Sequence, residues 1–330
     1  MAFGTDSELF PGYSINVPHN VTVQRGLCVY IPCSFTVPET VTLTRNAKGI
    51  WYNKDEESVA SRSNTKYETN GRFFLVGDVW RGDCSLYIEN PLYEDEGRYR
   101  FRVEDNINLS YQDIKPYVEV TDLTDKPEIS PIKSWLDGEE VTLRCTSPGT
   151  CVGTSPRITW RGNTGTQSRR SANEIKDNEN GTKTHFSTIT FTARKEQNNS
   201  PFSCTVQLKG GLTTVQEITM KVEYPPSVPE IKCSITNRKP NIPSSSGCTI
   251  DANNTIYLLE GSQLSLICSA DSVPESRFVW KSFSGTKTSS FTENQIFTNL
   301  SLTDEGTYTC QATNPHGRKE TSVTIRITCK

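Results

Sequence analysis

The chain has 330 residues, 35 basic and 38 acidic side chains, a formal net charge of -3 at neutral pH and 11 cysteines. That length is long for one compact domain and points to two or three. The charges are spread along the chain without a basic stripe, which argues against a nucleic-acid backbone or an anionic membrane surface as partner.

The cysteines, together with six Asn-x-Ser/Thr sequons at Asn20, Asn108, Asn180, Asn198, Asn253 and Asn299, point to an oxidising, extracellular setting. The opening stretch "MAFGTDSELF" lacks the apolar centre of a signal peptide, and no apolar run approaches the roughly 20 residues that cross a bilayer. The expectation is the extracellular part of a plasma-membrane receptor, whose signal peptide and anchor are not in this sequence. Contact with the membrane is then made only through that absent anchor.

In chain order, short runs of valine, isoleucine, threonine and tyrosine alternate with turn residues, as in "ITWRG", "HFSTITFTA", "TIYLLEG" and "SVTIRI", and amphipathic helical windows are nearly absent. The fold class is all-β. A cysteine, a tryptophan and a late aromatic strand recur three times: Cys33, Trp51 and "GRYRF"; Cys145, Trp160 and "PFSC"; Cys268, Trp280 and "GTYTC". This spacing predicts three tandem immunoglobulin-like β-sandwich domains, with Tyr99 and Tyr308 at tyrosine corners. Proline-marked seams, "DLTDKPEI" and "EYPPSVP", separate them. The expected boundaries are 12–123 for an N-terminal V-set domain, 124–224 for a C2-type domain and 225–330 for a C2/I-set-like domain.

The cysteines sharpen this picture. Cys145 with Cys204 and Cys268 with Cys310 join the second and sixth core strands, lettered B and F, in the second and third domains. The first domain has Phe101 at the F-strand position. Its only later cysteine, Cys84 in "DCSLYIEN", comes one strand too early, so Cys33 to Cys84 joins strands B and E within one sheet while the aromatic fills the core. With Cys33, Ile31, Val29 and Leu27 facing inward, Cys28 faces out near the second domain, where Cys151 lies just beyond that domain's B strand. A Cys28 to Cys151 bridge is expected there; the alternative is a pair of surface thiols. Cys233 with Cys248 is favoured by proximity, leaving Cys329 spare.

The stretches "GLCVYIPCSF", "GRFFLVGD", "DCSLYIEN" and "GRYRFRVE", followed by "VTDLTDKPEI" and "VTLRCTSPGTC", resemble the sialic-acid-binding immunoglobulin-like lectins (Siglecs) of the myeloid branch. The likeness is dense over the first two domains and generic over the third. It implies the B to E bridge, a bridge between domains one and two, and a first domain that binds terminal sialic acid through an arginine of strand F, which falls on Arg102. It also implies sugar contacts from the next strand, here Asn108, Leu109 and Ser110, and from an early aromatic, here Tyr13, whose alternative is edge-strand packing. The family aromatic has become Leu109, able to pack on the glycerol carbons, and Asn108 is itself a sequon that threatens the site when occupied. Residues 53–70 fall where relatives set linkage preference.

The residues give Arg102 a separate argument. Tyr99, Phe101 and Val103 face the core, so Arg98, Arg100, Arg102 and Glu104 face outward. A guanidinium presents a planar fork that matches a carboxylate, which lysine lacks. The alternative is a solvated arginine on an exposed face. Arg98 and Arg100 are assigned to solubility or a general positive field. A turn at 105–107 sets Glu104 against Asn108 and Arg102 against Ser110.

No enzyme is expected. His19, His185 and His316 fall in three different domains and read as surface residues, and no cysteine spacing suits zinc, so neither cofactor nor metal is indicated. Two function classes remain: a cell-surface lectin binding sialylated glycans in cis or in trans, for adhesion and immune-cell signalling, and an immunoglobulin receptor that binds a protein through the same face.

Overall fold

The computed structural model describes residues 3–4, 11–63, 67–69, 71–153, 155–165, 168–170, 173–178, 182–236, 246–282 and 292–328. Strand follows strand, and the only helical pieces among the described residues are short 3-10 turns. The chain divides into two compact units, one of residues 1–132, 142–191 and 201–218, the other of residues 133–141, 192–200 and 219–330.

The first unit begins with a sandwich whose two faces follow from period-two alternation. One sheet runs in the order Cys28–Ile31 (B), Leu86–Glu89 (E) and Phe73–Leu75 (D). The facing sheet has five strands in the order Asn108–Ser110 (G), Arg100–Glu104 (F), Lys48–Tyr52 (C), Ser58–Arg62 (C′) and Tyr67–Thr69 (C″). The extra C′ and C″ strands beside G, F and C are the mark of the variable-type sandwich. Along strand F, Phe101 and Val103 are fully buried while Arg102 and Glu104 are only half-buried, as alternation requires.

The centre of this sandwich is aromatic. Phe101 lies 5.2 Å from the Phe35 ring, 5.4 Å from Trp51 and 6.3 Å from Tyr111. The Trp51 indole donates to the Cys84 carbonyl at 2.8 Å, so the buried N–H is satisfied. The Tyr99 hydroxyl donates to the Asp95 carbonyl at 2.7 Å, closing the expected corner. Cys33 and Cys84 are bonded, with Cα atoms 4.9 Å apart, and Cys84 N–H donates to the Cys33 carbonyl, so this bridge ties neighbouring strands of one sheet.

The same unit holds most of a second sandwich. One sheet orders Glu128–Ser130, Glu140–Thr146, Lys183–Thr192 and Ser168–Arg170, and the other orders Arg157–Arg161, Pro201–Gln207 and Thr213–Thr219. The Cys145–Cys204 bridge crosses between these sheets with Cα atoms 6.4 Å apart. The first and second sandwiches are joined by Cys28–Cys151, with Cα atoms 5.6 Å apart. Around that bridge Lys209 pairs with the buried Glu89 at 2.8 Å, and Val152 N–H donates to the Tyr87 hydroxyl at 3.0 Å. At Gly153 a Cβ would stand 2.0 Å from Glu89 Oε1, so a side chain there displaces the Glu89 carboxylate. His185 also belongs to this junction: it is 2% exposed and its Nε2 donates to the Cys151 carbonyl at 3.0 Å. The surface position expected for it is corrected; consecutive residues 185–187 are buried on both faces of the strand.

In the second unit one sheet orders Ser246–Gly247, Glu230–Thr236, Gln263–Ser269 and Asn294–Phe297, and the other orders Thr255–Leu259, Gly317–Thr328, Gly306–Asn314 and Arg277–Ser282. Cys268–Cys310 spans the sheets with Cα atoms 6.5 Å apart, and Cys233–Cys248 is also bonded. The Tyr308 hydroxyl donates to the Asp304 carbonyl at 3.0 Å, repeating the corner of the first sandwich. His316 is not a free surface residue either, since its Nε2 lies 2.6 Å from Glu223 Oε2. His19 is exposed, as expected. Cys329 and Asn180 lie outside the described residues.

Candidate functional site

Strand F presents its outward side chains in a lattice fixed by register. Arg102 sits between Ser110 of strand G and Ile50 of strand C, Glu104 between Asn108 and Lys48, and Arg100 faces Tyr52. Directly paired residues share a face of the sheet, so Arg102, Ser110, Glu104 and Asn108 come together as the turn at 105–107 predicts. That turn is held by Asp105, whose carboxylate accepts from the Thr44 backbone N–H at 2.5 Å and the Thr44 hydroxyl at 2.8 Å. The result is a cation presented mid-strand, on a regular hydrogen-bonded element rather than a loop.

The Arg102 side chain is 33% exposed, and its Nε donates to Glu104 Oε1 at 2.8 Å. Alternation alone gives an unencumbered fork; the structure corrects this by occupying one edge of it. The Nη1 and Nη2 groups make no hydrogen bond with the described residues, so the end-on pair of donors is not taken up by them. Ile50 is 5% exposed on this nominally outward face, covered by its neighbours. The arginine thus carries an apolar floor beneath a polar rim, the environment in which a long side chain keeps its charge in water.

Arg100, two residues earlier on the same face, has a different fate. It is 9% exposed, its guanidinium lies 4.4 Å from the centre of the Tyr52 ring, Nη1 donates to the Ser110 hydroxyl and Nη2 pairs with Glu56. The Arg100 hydrogen bond holds the Glu56 carboxyl below its ordinary value. Glu56 reaches Arg100 from a turn at 53–57, where the Asn53 side chain accepts from Asp55 and Glu57 N–H at 3.0 and 2.8 Å and Glu56 takes φ of +61°. The expectation that Arg100 serves solubility or a general field is therefore corrected: it is a buried strut tying the C–C′ turn to strand G. Arg98 is exposed; it donates to the Lys115 carbonyl at 3.2 Å and its guanidinium lies 5.9 Å from the centre of the Tyr117 ring.

The remaining expected contacts divide. Leu109 pairs with Val103 and packs against the core, so its side chain is on the wrong face to meet a ligand beside Arg102. Tyr13 is half-buried just before Ser14–Pro18 and interacts with the Tyr111 phenol, whose proton burial holds more tightly than usual; among the described residues no hydrogen bond or ring contact joins Tyr13 to Arg102. Sequence reasoning did not single out Glu56, and it placed Glu104 on the outward face without giving it a role. Glu104 was legible, being on the outward parity of strand F and two residues from the arginine. Residues 64–66 and 70 of the expected linkage-setting segment lie outside the described residues.

Two family models match the chain, a CD80-like C2-set immunoglobulin domain over residues 127–215 and an immunoglobulin domain over residues 247–314. With the β-sandwiches above they define a protein of tandem immunoglobulin-like domains. Among curated proteins, the chain is 30% identical to Sialic acid-binding Ig-like lectin 8 of Homo sapiens, covering 98% of this chain and 65% of that protein. It is 30% identical to Sialic acid-binding Ig-like lectin 13 of Pan troglodytes, covering 96% and 81%, and 33% identical to Sialic acid-binding Ig-like lectin 5 of Homo sapiens, covering 93% and 55%. The chain belongs to the sialic acid-binding Ig-like lectins, in their myeloid-type branch. It spans between about half and two thirds of the two human relatives.

Proposed function

We propose that the protein is the ectodomain of a cell-surface lectin that binds terminal sialic acid through Arg102, for cell adhesion and immune-cell signalling. The observation that carries this reading is a strand-F arginine, one third exposed, whose two Nη groups make no hydrogen bond with the described residues, in a chain that belongs to a family of sialic acid-binding lectins. In this reading the sugar's carboxylate takes the two Nη donors end-on, as a planar fork favours. Backbone groups of Asn108 and Ser110 border the ligand, and Tyr13, just before Ser14–Pro18, belongs to the outer margin of the site. Neither role needs a cofactor. The sequence division into domains at 12–123, 124–224 and 225–330 is retained, with the first carrying the site.

A site with one charged anchor implies weak single-site binding, on the order of millimolar or about -4 kcal/mol, with useful strength from clustered glycans on glycoproteins or glycolipids, in cis or in trans. The Glu104 pairing favours the second reading, a protein ligand on the same face, because it leaves the arginine less available to a small anion. Arg102→Ala separates the two. Binding of the chain to sialylated cells should fall to background while its thermal unfolding is unchanged. Binding that persists in the variant, or that ignores sialidase treatment of the cells, puts the protein-ligand reading ahead.

A further inference from the structure

Asn108 stands apart from the other sequons. Of the five on described residues, it alone lies in the sheet that carries Arg102: Asn20 is on the strand paired with Tyr117–Thr121, Asn198 accepts from Val222 N–H, and Asn253 and Asn299 belong to the second unit. Its side chain is exposed and makes no hydrogen bond with the described residues, so attaching a sugar to Nδ2 breaks nothing in the fold. The third sequon residue, Ser110, uses its hydroxyl to accept from Arg100 Nη1 only once the sheet has formed. The five disulfides mark a chain that passes through the oxidising compartment in which such sequons are modified.

Geometry gives the attachment a consequence. Asn108 is directly opposite Glu104, and Arg102 is its diagonal neighbour on the same face, a separation of about 7–8 Å in an antiparallel pair. A branched, hydrated glycan rooted there shares the space above Glu104 and the Arg102 Nη groups. We infer that Asn108 carries an N-linked glycan that stands over the Arg102 face and regulates access to it by occupancy. A population of molecules with Asn108 unmodified then binds more strongly than the modified one. The modification claim stands by itself; the regulatory claim rests on the lectin reading above.

The test uses the full chain secreted from mammalian cells. Glycopeptide mass spectrometry should find Asn108 occupied; an unmodified Asn108 overturns the inference and leaves the lectin reading untouched. Binding to a polymeric sialoside should then rise about fivefold in Asn108→Gln, the lower range of coupling between two sites. Enzymatic removal of N-glycans from the folded wild-type chain should give the same rise without relying on the variant's folding, and should add little to Asn108→Gln. An occupied Asn108 whose removal leaves binding unchanged overturns the regulatory claim. If neither form binds sialoside at all, the lectin reading fails, and the mass spectrum still decides the modification.

Discussion

The first sandwich and the two later ones close their cores by different means. In the second and third, a disulfide crosses from one sheet to the other, Cys145–Cys204 and Cys268–Cys310, with Cα atoms 6.4 and 6.5 Å apart. In the first, the corresponding cysteine pairs with its own neighbour in the sheet, Cys33–Cys84 at 4.9 Å, and strand F has no covalent tie to the opposite sheet. Phe101 occupies that place instead, wedged among Phe35, Trp51 and Tyr111. The strand carrying Arg102 is therefore positioned by side-chain packing and by its hydrogen bonds to strands C and G, whereas its counterparts are also stapled. The difference teaches that the site's precision depends on an aromatic core rather than on redox chemistry.

Three substitutions probe that contrast. Phe101→Ala should have the largest effect: a fully buried aromatic at the centre of an unstapled sandwich is lost, and the domain should be destabilised by about 3–5 kcal/mol. Calorimetry of the first sandwich's unfolding transition measures this, and a loss below about 1 kcal/mol, within the range of a volume-conserving swap, contradicts the packing account. The tyrosine corners come next, because they are alike in both kinds of sandwich. Tyr99→Phe and Tyr308→Phe each remove one hydroxyl from a buried carbonyl and should cost about 1 kcal/mol apiece, with no advantage to the stapled domain. A much larger loss for Tyr99 alone shows that the corner compensates for the missing bridge.

The smallest effect is expected at Glu104. The Arg102–Glu104 pair is about one third exposed on each side, so it is worth no more than about 1 kcal/mol. Glu104→Gln frees the Nε edge and removes a competing carboxylate, and sialoside binding should rise by at most about fivefold. A fall in binding assigns Glu104 the opposite task, that of orienting the guanidinium.

Much of this was legible in the sequence, for reasons that particular residues make plain. Phe101 and the early Cys84 announced the rearranged bridge, because the spacing of the motif leaves only one later cysteine in the domain. The pairing of Arg102 with Ser110 followed from a turn at 105–107 and the period of two. The same parity places Leu109 opposite Val103, packed against the core, a placement that alternation along the strand already implied. Arg100 was a different case. Its burial depends on Tyr52 across the sheet and on Glu56, delivered by a turn with a left-handed residue, and no local pattern around strand F signals either. His185 was missed because burial at a junction between sandwiches is set by the neighbouring domain and not by the strand's own sequence.

The central claim is that the Arg102 guanidinium holds a sugar carboxylate, and a cycle on both partners tests it most directly. Affinity would be measured for wild-type chain and Arg102→Ala, each against a multivalent sialoside with its carboxylate free or converted to the methyl ester. Either change alone should cost about 2–5 kcal/mol, and the two together should cost no more than one, because both delete the same contact. Losses that add independently, or an ester that binds wild-type chain as well as the free acid does, contradict the account.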